Sequence, residues 1–139
     1  MIVLDTNVLS ELMRAHPDEA VVAWLLAVPS ADLFTTTVTQ AEILSGLALM
    51  PDGKRQLALR AAAERLFAVD LAGRILPFDS DAAHAFARVV VERRKAGRPI
   101  GNLDAQIAAV ARAKGADVAS RNVEDFRGCG IVVRNPWND

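Results

Sequence analysis

The stretch MIVLDTN, residues 1–7, sets three consecutive apolar residues directly against an aspartate. In a short strand, apolar residues at successive positions mean that both faces are buried, as in the middle of a parallel sheet. Ile2 to Leu4 therefore reads as a central strand. A carboxylate at the end of such a strand is costly to desolvate unless something compensates it, so Asp5 is expected to have a partner beside it. The same carboxylate interrupts the apolar run too early for a secretory signal. That predicts a protein that stays where it is made.

Outward from this strand, Val8, Leu9, Leu12 and Met13 have helical spacing, and Glu19 to Val28 repeats it after the break at His16-Pro17. Leu33 to Thr36 reads as a second strand, Gln40 to Met50 as a helix ending at Pro51, and Lys54 to about Val69 as a long helix. Ile75 to Phe78 is expected as a third strand. Asp81 to Lys95, stopping at Gly97, and Leu103 to Lys114, stopping at Gly115, follow as helices. Val118 to Ser120 and Ile131 to Val133 complete the pattern as short strands. Strands alternating with helices along the whole chain predict an α/β fold, a mostly parallel sheet with helices on both faces. No linker, low-complexity tract or repeat divides residues 1–139, so one domain is expected.

Composition narrows the function. With 52% hydrophobic and 24% charged residues the chain is an ordinary globular one. Its net charge of −1 excludes a polycation that grips nucleic acid through bulk field. A nucleic-acid role would need a local basic surface or a metal ion. Apolar runs such as Ile107 to Ala111 are far shorter than the roughly 20 residues a bilayer requires. The single cysteine, Cys129, excludes an internal disulfide and a multi-cysteine zinc site, and fits a reducing, cytoplasmic compartment.

In open parallel sheets, ligands bind beyond the carboxyl ends of the strands. Asp5 ends strand one, Glu42 lies in the first turn of the helix after strand two, Asp104 opens the helix before strand four, and Ser120-Arg121-Asn122 follows strand four. Each acid has a plain structural role available: Asp5 as a helix N-cap, Glu42 in a capping box with Thr39, and Asp104 as first-turn charge behind an Asn102 cap. Three independent caps need not converge, however, and these are brought to one end of one sheet. Gly46, one turn after Glu42, either packs the helix closely on the sheet or clears room beside the carboxylate. Converging carboxylates repel one another unless a cation is present. Oxygen ligands favour Mg²⁺ or Mn²⁺, ions that typically meet a phosphate, and this points to phosphodiester hydrolysis.

The blocks IVLDTNVLSEL, VTQAEILSGLAL, GRILPFD, NLDAQIAAVARAKGADVASRNVEDF and VVRNPW together resemble the PIN-domain ribonucleases, most closely the VapC-type toxins of the FitB-like branch. The resemblance implies an α/β/α sandwich and a metal-dependent endoribonuclease, leaving 5′-phosphate and 3′-hydroxyl ends. It further implies a homodimer, held inactive by a co-expressed antitoxin protein in a hetero-oligomer that engages DNA. Carried over by position, Asp5, Glu42 and Asp104 would bind the metal, with Asp5 central. Family members can carry an acid where this chain has Asn122, and Asp125, three residues on, is the alternative for that place. Thr6, Asn7 and Ser120 would support the ligands.

Around these residues, Glu92 to Lys95 and Arg98 form the densest positive stretch, read either as a solvated helix end or as a phosphate-contacting rim with Arg14 and Arg121. His16 and His84 read as loop and helix-face residues. Trp24 and Phe86 read as core or interface, and Trp137 as packing at the sheet edge or as a dimer contact. The helices from Gln40 to Val69 offer a candidate apolar groove for an antitoxin helix. Two other functions remain open at this level: a receiver or phosphatase that phosphorylates Asp5, and a non-catalytic binding module.

Overall fold

Adjacent in sequence, Val3 and Leu4 point into different cores. The computed structural model describes residues 1–139. In it, β1 (Ile2–Leu4) is the middle strand of five, and side chains that alternate along it feed a hydrophobic cluster on each face of the sheet. The other strands are β2 (Leu33–Thr36), β3 (Ile75–Leu76), β4 (Asp117–Ala119) and β5 (Val133–Arg134). All pairings are parallel, in the order β3-β2-β1-β4-β5.

Six helices flank this sheet: α1 (Thr6–Leu12), α2 (Glu19–Leu26), α3 (Thr37–Leu49), α4 (Lys54–Arg65), α5 (Ser80–Lys95) and α6 (Asn102–Lys114). Val3 and Val118 pack with Val89 of α5 and Ile107 of α6; Leu4 and Ala119 pack with Leu9 of α1, Val21 of α2 and Leu66 after α4. The expected α/β/α layering is thus present.

Several boundaries differ from the sequence reading, each for an identifiable reason. α3 starts at Thr37, because Thr36 Oγ1 accepts the Thr39 N–H at 3.0 Å and caps the helix. The expected Thr39–Glu42 capping box does not form, and Glu42 lies in the second turn. Gly101, not Asn102, is the N-cap of α6. The long helix ends its α-turns at Arg65 and continues as a wider π-turn over Leu66–Asp70, closed by Leu71 N–H to Leu66 O at 2.8 Å. Pro77 lacks an N–H for the ladder, so β3 ends at Leu76. β4 ends at Ala119, freeing the Ser120 side chain for Asp5. Positive-φ turns at Gly128 and Gly130 delay β5 to Val133. Gly46 does not pack on the sheet; a side chain there would meet nothing within 4 Å.

The basic stretch of α5 is neither wholly solvated nor a rim. Arg93 is buried, with Nε donating to Arg98 O at 2.6 Å and Nη1 donating to Asp125 O at 2.7 Å and Arg127 O at 2.8 Å. A lone cation is thereby solvated by backbone carbonyls, and the short 3₁₀ turn Val123–Phe126 is fastened to the α5 end.

Candidate active site

Strand order reverses at β1, since β2 and β3 extend the sheet to one side and β4 and β5 to the other. The crevice at such a switch point is where ligands bind in open parallel sheets. Asp5 and Ser120, directly beyond β1 and β4, meet there. Asp5 is the N-cap of α1, with Oδ1 accepting the Thr6 N–H at 2.8 Å. Its Oδ2 accepts from Ser120 Oγ at 2.7 Å and from Asn7 Nδ2 at 3.1 Å. The capping role and the convergent role are therefore held by the same carboxylate.

Asn7 ties the two junctions together. Its Nδ2 also reaches Ser120 Oγ at 3.1 Å, and its Oδ1 accepts the Arg121 N–H at 3.1 Å, which fixes the amide orientation. Ser120 Oγ further accepts the Asn122 N–H at 3.0 Å, completing its capacity of one donor and two acceptors. Thr6 orients a second acid: its Oγ1 donates to Glu42 Oε1 at 2.9 Å and lies 3.2 Å from Thr39 Oγ1. The supporting positions Thr6, Asn7 and Ser120 all contact the acids or one another.

Asp5, Glu42, Asp104 and Asn122 line one cleft of about 650 Å³. Burial pushes the Asp5 carboxyl above the usual aspartate range; the Ser120 and Thr6 hydrogen bonds oppose this, while the charges of Glu42 and Asp125 add to it. Asp104, half-buried in the first turn of α6, is also pushed up, first by burial, then by Asp5 and Asp125, with Arg93 opposing. Asp125 is exposed and outside the cleft lining, yet its charge reaches both aspartates.

The donors facing the cleft are oxygens, which suits a hard divalent cation. No three acidic, histidine or cysteine side chains lie close enough together to enclose an ion unaided. Water would complete the shell, as Mg²⁺ favours. Asp5, Glu42 and Asp104 bring carboxylate oxygens to the cleft and Asn122 an amide oxygen, a donor set of the kind such a cation takes.

A raised carboxyl stabilises the fold below its unfolded pKa, and this contribution is lost as pH rises through the folded one. Without divalent metal, Asp104→Asn is therefore expected to equal or exceed the wild-type melting temperature at neutral pH. The difference should vanish in acid. Marked destabilisation by both Asp104→Asn and Asp104→Ala would make Asp104 a structural cap instead.

Of the basic candidates, Arg14 lines the cleft and pairs with the buried Glu11 at 3.2 Å. Arg121 also lines it, with its guanidinium carbon 5.0 Å from the Trp137 ring centroid. Arg98 lies outside, paired with Glu124 at 2.9 Å. Arg55, Glu11 and Trp137 are cleft residues that sequence reasoning missed. Arg55 carried a signal: it sits in the first turn of α4, where the helix dipole disfavours a cation.

A profile of the PIN domain matches residues 2–128. The chain is 44% identical over 137 residues to VapC ribonuclease Y4jK of Sinorhizobium fredii, covering 99% of this chain and 98% of that protein. It is 39% identical over 139 residues to toxin FitB of Neisseria gonorrhoeae, covering 100% of each. Its fold superposes on a chain of the FitAB complex bound to an IR36 DNA fragment with a TM-score of 0.92, at 38% identity, covering 100% of this chain and 97% of that one.

Proposed function

The chain belongs to the PIN-domain family, and from that premise we propose that it is a metal-dependent endoribonuclease, the toxin half of a bacterial toxin–antitoxin pair. The observation that carries this reading is the meeting of Asp5, Glu42 and Asp104 at one cleft, with the Asp5 and Asp104 carboxyls raised first by burial and then by the charges of neighbouring acids. Mg²⁺ or Mn²⁺ would be held by these acids together with bound water, with Asn122 adding a neutral oxygen. A bound ion supplies Lewis acidity for water activation and positive charge for the phosphate oxygens.

The chain's own residues set the geometry. Asp5 accepts from three donors, which hold its carboxylate in one orientation. Thr6 links Asp5 and Glu42 through its backbone N–H and its hydroxyl, so a shift of one acid is felt by the other. Arg14, Arg55 and Arg121 at the cleft walls offset the charge of an incoming RNA backbone. Purified protein is expected to cut RNA to 5′-phosphate and 3′-hydroxyl ends, to stop in excess chelator, and to resume when Mg²⁺ or Mn²⁺ is restored. Cleavage that persists in chelator would sink the metal-dependent reading.

The proposed partners are an antitoxin protein and a second copy of the chain, in a complex that engages DNA, as in the FitAB–DNA complex. An apolar groove between α3 and α4, lined by Leu44, Leu47, Ala63 and Phe67, supports docking of an antitoxin helix. Phe78 and Leu103 leave exposed apolar surface beside α3, of a kind that a second copy would cover. No helix is long and apolar enough to cross a membrane. We place the protein in the cytoplasm, where RNA and a co-expressed antitoxin are both at hand.

A further inference from the structure

We propose that Arg121 and Trp137 form a stacking platform for a base of single-stranded RNA next to the phosphate being cut. The proposal rests on the reading of the cleft as a ribonuclease site and assigns it a base-binding surface. Trp137 is the one aromatic residue lining the cleft. It is half-buried, backed by the cluster that contains Leu4 and Leu9. Its backbone N–H is fixed to Asn135 Oδ1 at 3.0 Å, and the Asn135 N–H in turn to Asp139 Oδ2 at 2.8 Å.

Arg121 covers the ring at 5.0 Å and, unlike Arg14 and Arg98, pairs with no carboxylate. Its charge is therefore free for a phosphate. The outer face of a guanidinium already stacked on an indole is a flat, polarisable surface, and bases stack on such planes and on aromatic rings. Position supports the assignment: the Arg121 N–H bonds Asn7, and Asn7 bonds Asp5, so the platform stands two hydrogen bonds from the central acid. A cleft of about 650 Å³ has room for a nucleotide beside the acids.

The test uses the full chain carrying Trp24→Phe, which leaves Trp137 as the sole tryptophan. A short single-stranded RNA is titrated in chelator, where it stays intact. Saturable quenching of the Trp137 emission is expected. By anisotropy of labelled RNA, Arg121→Gln and Trp137→Leu should each weaken binding about tenfold, and Trp137→Phe much less. In metal, KM should rise more than kcat falls for the first two variants. Absent quenching, or unchanged affinity and KM in both variants, overturns the platform. If Trp137→Leu does not fold, quenching and Arg121→Gln decide. Quenching without cleavage in metal would sink the nuclease reading and leave the platform standing; cleavage with unaltered KM would do the reverse.

Discussion

Asp5→Asn is expected to lower the rate of RNA cleavage by about a thousandfold or more while the protein stays folded. Asparagine has nearly the same shape, and its Oδ1 can still accept the Thr6 N–H that caps α1. Its amide nitrogen would face Asn7 Nδ2, itself a donor, and Ser120 Oγ, whose two lone pairs are already taken by Asn7 and Asn122, so the two hydrogen bonds at Oδ2 are lost. The charge disappears with them. In metal-free buffer that loss removes the repulsion felt by Asp104 and the burden of burying an anion. That relief offsets part of the lost hydrogen bonding, so the protein should stay folded with a modest change in melting temperature at neutral pH while activity collapses. Cleavage of a labelled RNA at saturating Mg²⁺, beside a thermal melt of the same preparation, reads both. A variant that keeps more than about a tenth of the rate would remove Asp5 from the chemistry.

Arg93→Met is expected to be the most destabilising single change outside the apolar core. Methionine fills the stem of the arginine but leaves the carbonyls of Arg98, Asp125 and Arg127 without their donors. A carbonyl stripped of its partner where water cannot replace it costs about 1–3 kcal/mol, and these three are partly buried. Because part of that loss is recovered from water, a total of about 3 kcal/mol and a drop of about 10 °C in melting temperature are expected. Arg93→Lys should recover little, since a compact ammonium does not span the fork. Urea denaturation of the two variants measures this, and a loss below about 1 kcal/mol in both would show that the guanidinium does not hold the turn.

The parts that were legible in the sequence are those governed by short-range pattern. Three apolar residues before Asp5 gave the central strand, and the polar residues at strand and helix ends gave the acids. The caps were harder, because Thr36 and Thr39 stand three residues apart and either offers a hydroxyl to a helix start. Strand extents at the sheet edge escaped because two-residue strands carry no periodicity of their own. Arg93 lies among like charges and reads as solvated, although it continues the buried stripe Ala82, Ala85, Val89 at helical spacing. Trp137 reaches the cleft through contacts with residues more than a hundred positions away, which no local pattern encodes. Asn122 lines the cleft and Asp125 does not, a distinction set by the turn that Arg93 fastens.

The bond between Asp5 and Ser120 spans 115 positions, and β1 lacks its β4 neighbour until Asp117–Ala119 exist. Chains grow at roughly 5–20 residues per second, so the first strand waits about 6–24 s for the last piece of the site. A chain that stops anywhere before β4 keeps only the contacts the Asp5 carboxylate makes within residues 5–7 and lacks the Ser120, Asn122 and Trp137 side of the cleft, so the site is completed by the last fifth of the sequence or not at all.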